Sequence, residues 1–82
     1  MDKREFIELL ILNYKKQHDG CSPTIRKLVE LYANATGKIL STSVVYYHLN
    51  KLAAKRNWVL TTRGIETNGE WQNLTKEEEL EL

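Results

Sequence analysis

The chain of 82 residues contains one cysteine, one proline and one phenylalanine. A lone Cys21 excludes an intrachain disulfide and fits a reducing cytosol. The longest apolar run, Leu9–Leu12, is far too short to span a bilayer, and the opening MDKREF lacks a signal-peptide pattern. A cytoplasmic location with no membrane partner is therefore expected. Glycine-rich phosphate loops and paired carboxylates at catalytic spacing are missing. His18 and Cys21 have metal-like spacing, but no second pair completes a four-ligand shell. Ser41, His48 and an acid would form a catalytic set only if the histidine were oriented as a base. Helical spacing puts His48 on a core face, where a packed, hydrogen-bonded histidine is the simpler account. The expectation is a protein that is not an enzyme, with no metal, no cofactor and no small-molecule substrate.

The composition, 41% hydrophobic and 28% charged, suits one small domain with one core. The net charge of only +1 conceals an uneven distribution. Between Gly20 and Arg63 lie seven basic residues, Arg26, Lys27, Lys38, Lys51, Lys55, Arg56 and Arg63, against the single acid Glu30, a net of +6. From Thr75 to Leu82, Lys76 faces four glutamates, a net of −3. A basic middle suggests an anionic partner. The acidic tail would repel a phosphate backbone or cover the basic face.

Asp2, with Glu5 three residues on, reads as a capping box opening a first helix. Phe6, Leu10 and Tyr14 recur at helical spacing, and Gly20 ends the element. This helix reads as core scaffold without chemistry. GCSPT follows, where Pro23 favours an extended residue before it. Thr24 is expected to cap a second helix from Ile25 to about Ala35. Its inner face is Ile25, Leu28, Leu31 and Tyr32, while Arg26 and Lys27 point elsewhere. Free N–H groups at its start suit a phosphate. Gly37 should take the left-handed conformation, and Ile39 or Leu40 should plug the core.

Residues 41–57, STSVVYYHLNKLAAKRN, are expected to form a third helix capped by Ser41 or Thr42. Positions advance by about 100° per residue. Val45, His48, Leu49 and Leu52 then share a core stripe. Ser43, Tyr47, Asn50 and Ala54 lie opposite, flanked by Val44, Tyr46 and Lys51, with Lys55 and Arg56 at the basic end. A helix anchored by one side and polar on the other suits the major groove of DNA. Tyr46 falls at the flank, where it can pack on a wing or reach a phosphate.

WVLTTRGIE, residues 58–66, reads as extended. One hairpin would turn at Thr62–Gly64, pairing Val59–Thr61 with Ile65–Thr67. Another would turn at Asn68-Gly69, pairing Gly64–Thr67 with Glu70–Asn73, and a meander would use both. Trp58 and Trp71 flank this region as core or rim packing. The tail TKEEELEL reads as frayed helix or disorder. The fold class expected is mainly α with a small β-hairpin, a three-helix winged helix-turn-helix over residues 1–74 followed by an acidic tail, 75–82.

GCSPTIRKLVEL, STSVVYYHLNKLAAK, RGIE and Gly69-x-Trp71, taken in this order and spacing, resemble the N-terminal DNA-binding domain of the LexA repressor family. The likeness is greatest to small stand-alone relatives common in phages and prophages, and spans about residues 5–71. The resemblance implies a transcription regulator whose third helix meets base edges and phosphates through Ser41, Ser43, Val44, Tyr46 and Tyr47, with Arg63 in the wing. Two acidic residues of the family's helix are Tyr46 and Tyr47 here, so a different target sequence is implied. The glycine that ends the family's third helix is displaced, and the wing is several residues shorter. The family repressor's serine-lysine self-cleavage domain has no counterpart in these residues, so neither autoproteolysis nor dimerisation through it is expected.

Together these observations point to a sequence-specific double-stranded DNA-binding regulator. Its expected contacts are Thr24, Arg26, Ser41, Ser43, Val44, Tyr46, Tyr47, Lys51, Lys55 and Arg63. A palindromic target would imply a homodimer on DNA. The competing class is a winged-helix module that binds a protein, for instance a phage factor directed at a host protein.

Overall fold

The structure, a computed structural model, describes residues 2–81. Among them are three α-helices and one antiparallel hairpin: α1 (Lys3–Gln17), α2 (Ile25–Thr36), α3 (Thr42–Arg56), β1 (Val59–Thr61) and β2 (Gly64–Glu66), followed by a 3-10 turn at Glu70–Asn73. This is the mainly helical, winged helix-turn-helix layout.

Local chemistry sets the helix ends. The Asp2 carboxylate accepts the Glu5 N–H at 2.8 Å, Thr24 Oγ1 that of Lys27 at 3.0 Å, and Ser41 Oγ that of Val44 at 3.2 Å. Gly37 and Asn57 close α2 and α3 in the left-handed region, with φ of 76° and 59°. At the α2–α3 turn Leu40 enters the core while Ile39 stays exposed.

The core joins Ile7, Leu10, Ile11 and Leu12 of α1 with Leu28 and Tyr32 of α2. Val45, Leu49 and Leu52 of α3, then Trp58 and Ile65, complete it. Burying such side chains is the main favourable contribution, about 1.5–3 kcal/mol each. α1 is central, and its buried set extends to Asn13 and Lys15. A helix buried on nearly all sides needs cover on each.

Part of that cover comes from the acidic tail, which is neither frayed helix nor free. Asn13 Nδ2 donates to the Glu78 carbonyl, and the Leu80 N–H donates to Asn13 Oδ1, both at 2.8 Å. Lys16 pairs with Glu79, and Leu74 and Leu80 pack against the core. A buried amide left without partners would cost about 1–3 kcal/mol, and the tail backbone supplies them. The tail therefore lies along α1 and does not cover the outer face of α3.

The hairpin register differs by one residue from the first of the expected registers. Val59 pairs with Glu66, Leu60 with Ile65 and Thr61 with Gly64, around a turn at Thr62-Arg63. This register sets the fully buried Ile65 beside Leu60, on the core side. It also seats Gly64, at φ 133°, where a side chain would lie 2.9 Å from the Pro23 carbonyl oxygen and from Ser22 Cβ. Ser22 Oγ donates to the Ile65 carbonyl, tying β2 to the segment before α2. The second hairpin does not form. Gly69 is left-handed, and the chain turns into the 3-10 element instead of a strand. There Glu70 accepts from Trp58 Nε1 and from the Asn68 N–H. Those bonds draw the segment back onto the base of the hairpin.

Candidate nucleic-acid interface

The register of α3 decides which side chains are available. With Val45, Leu49 and Leu52 at 0–1% exposure, the opposite face turns outward. Ser43, Asn50, Lys51, Ala54 and Lys55 are exposed, as are Val44 (36%), Tyr46 (49%) and Tyr47 (53%). Asn50 Nδ2 donates back to the Tyr46 carbonyl at 3.1 Å. Ser41 is exposed, with its Oγ engaged as the helix cap.

On one flank, Tyr46 borders a groove of about 200 Å³ between the start of α2 and the hairpin. Thr24, Arg26 and Arg63 line it, together with Leu60 and the hairpin turn. Its described lining holds two guanidinium groups and no carboxylate. The first N–H groups of α2 open nearby, and the adjoining surface is formed by Ile25, Thr42, Ser43 and Tyr46. The fold thus gathers Thr24, Arg26, Ser43, Tyr46 and Arg63, which lie up to 39 positions apart in the chain.

On the other flank, a cleft of about 320 Å³ separates α3 from the first turn of α1. Lys55 and His48 line it from α3. Lys3 and Arg4 join them from α1, and so do the carboxylates of Asp2, Glu5 and Glu8. Lys55 is therefore brought to a different flank from Arg63. Arg4 Nε donates to His48 Nδ1 at 3.2 Å, which requires a neutral ring with its proton on Nε2. Burial holds the His48 pKa below its usual 6.5, aided by the Arg4 and Lys3 charges and opposed by Asp2. His48 is thus hydrogen-bonded as expected, but it is half-buried at the edge of the cleft and not in the core with Val45, Leu49 and Leu52, because α3 packs by those three side chains and turns the imidazole towards the first turn of α1.

Tyr47 lies between these flanks. Lys51 Nζ sits 5.5 Å and Arg4 Cζ 5.8 Å from its ring centroid, within cation–π range. The His48 ring meets it edge-on, with centroids 5.5 Å apart at 69°. Sequence reading assigned α1 no chemistry and so missed Arg4 and Lys3. Nothing in their local spacing marks them, because their partners lie 43 or more residues away.

Behind α3, Arg56 bridges Glu8 (3.4 Å) and Glu70 (3.6 Å) and stacks over Trp58 at 5.0 Å. The Glu70 carboxylate loses most from burial. The Trp58 N–H, backbone N–H groups and Arg56 outweigh that loss and keep its pKa below the usual range. This network ties the C-terminus of α3 to α1 and to the 3-10 turn and leaves Arg56 engaged away from the outer face.

No group of three or more metal-ligating side chains occurs among the described residues, and no helix among them is long and apolar enough to cross a membrane. No family model, curated protein or solved structure matches this chain.

Proposed function

We propose that this protein is a sequence-specific double-stranded DNA-binding regulator of transcription that inserts α3 into the major groove. The observation that carries the reading is the exposed polar and aromatic face of α3 beside a groove lined by Arg26 and Arg63. In this reading Ser43, Val44 and Tyr47 meet base edges, Val44 suiting a thymine methyl and the hydroxyls either donating or accepting. Thr24 at the start of α2, Arg26, Tyr46 and Arg63 hold one phosphate strand, and Lys51 and Lys55 extend the cationic surface along the helix. Ser41 supports the contact by fixing the start of α3. The resemblance to LexA-type domains supports the same assignment, and binding as a homodimer to a palindrome follows if the target is two-fold.

A second reading has its own support. Val44, Tyr46 and Tyr47 are large exposed side chains on one helix, and tyrosine is enriched among the residues that anchor protein interfaces. One experiment separates the two. Duplexes selected from a random library by the purified protein are titrated electrophoretically at two salt concentrations. DNA binding predicts an enriched motif and an affinity that falls steeply with salt. No enrichment and no salt-dependent shift would remove the DNA reading and leave the protein-docking one.

A further inference from the structure

We propose that Arg4, in the first turn of α1, is a positioning residue of the recognition surface: held in place by His48, it orients the Tyr47 ring. The inference rests on the DNA-reading role proposed above and adds a specificity determinant from outside α3.

An exposed tyrosine on a helix has several staggered rotamers open to it, and no core contact selects among them here. Tyr47 is 53% exposed. Three groups nevertheless approach its ring. Lys51 and His48 belong to α3 itself, and among the described residues Arg4 is the one of the three that comes from another element. A flexible arginine would hold nothing unless it were held in turn. The bond from Arg4 Nε to His48 Nδ1 does this, and the planar guanidinium is then fixed alongside Tyr47. A ring already oriented loses less freedom when it meets a base edge, so binding is stronger where the contact is right.

The surroundings argue against Arg4 as a phosphate contact. In the cleft, Lys3, Arg4 and Lys55 face Asp2, Glu5 and Glu8, three charges of each sign. The groove on the hairpin flank has Arg26 and Arg63 without a carboxylate. A phosphate strand would favour the hairpin flank. The compensated cleft suits side chains that hold one another.

The test compares the parent, Arg4→Ala, Tyr47→Ala and the double variant on the best selected duplex and on a scrambled one across a salt series. Tyr47 ring resonances are followed by NMR in the free protein. Arg4→Ala is expected to remain folded and to lose about fivefold on the selected duplex. It should bind scrambled duplex like the parent with the same salt slope, move the Tyr47 resonances, and add no further loss to Tyr47→Ala. If the alanine variant melts early, Arg4→Gln takes its place. A loss on both duplexes with a shallower salt slope would make Arg4 a phosphate contact and overturn the proposal. Additive losses, or unmoved Tyr47 resonances, would overturn it as well. If the parent binds no duplex, the DNA-reading role falls, and the resonances still decide whether Arg4 holds the ring.

Discussion

The groove beside the hairpin and the cleft beside α1 both border α3, and both contain cationic side chains. In the groove, Arg26 and Arg63 stand without a carboxylate in the described lining. In the cleft, Lys3, Arg4 and Lys55 share the lining with Asp2, Glu5 and Glu8, Glu8 pairs with Arg56 as well, and Arg4 is already committed to His48. Coulomb attraction for a distant anion depends on net charge, and at physiological salt it extends only about 8 Å. The groove can therefore attract a phosphate strand, and the cleft cannot do so to the same degree. Instead the cleft organises the residues that line it. Counting lysines and arginines along the chain misses this distinction, because the compensating acids come from α1.

Several changes would break or sharpen this contrast. The largest effect is expected from Leu49→Ala, which truncates a core side chain of the helix that both flanks border. Leu49 is 1% exposed, and such a truncation costs about 2–5 kcal/mol. The melting temperature should drop markedly, and an unchanged value would mean that α3 packs by another face.

Gly64→Ala should disturb the groove alone. The added carbon would meet the Pro23 carbonyl and Ser22 at 2.9 Å with a backbone at φ 133°, a strain of about 1–3 kcal/mol. The hairpin would lift and take Arg63 with it. Melting should fall and duplex affinity should weaken, while the Tyr47 ring resonances stay in place. Movement of those resonances would show that the two flanks are coupled.

Replacing Arg26 and Arg63 together by alanine should reduce the salt slope of DNA binding by about one unit for each phosphate that is no longer neutralised. Lys3→Ala, in the compensated cleft, should leave the slope unchanged. Equal effects of the two changes would erase the distinction between the flanks.

The smallest effect is a pH dependence. The folded-state pKa of His48 lies below 6.5, so the folded protein favours the neutral ring. Its contribution to stability is complete above 6.5 and is lost as pH falls towards the depressed folded value. Protonation removes the acceptor of Arg4, with Lys3 and Lys55 adding repulsion and Asp2, Glu5 and Glu8 opposing it. Melting should therefore fall from about pH 7.5 to about pH 5.5 more in the parent than in His48→Gln. Identical pH profiles would separate His48 titration from the stability of this flank.

What the sequence determined by itself was governed by neighbours three or four residues apart. The caps at Asp2 and Thr24, the left-handed Gly37, and the burial of Val45, Leu49 and Leu52 all follow from such spacing, while the structure chose Ser41 over Thr42 as the cap of α3. The outward face of α3, and with it most of the candidate contacts, was therefore legible before any fold was known. Only the tertiary structure set the hairpin register, one residue from the expected pairing, because burying Ile65 and closing Gly64 onto Ser22 and Pro23 involves segments about 42 residues apart. It also turned Glu70–Asn73 into a 3-10 element through the Trp58 N–H, and it laid the acidic tail on Asn13, 65 residues away. Arg4 reached Tyr47 and His48 in the same way. Local propensity carries no record of such contacts, since each forms only once the helices have packed and bring a partner from elsewhere in the chain within hydrogen-bonding or stacking distance.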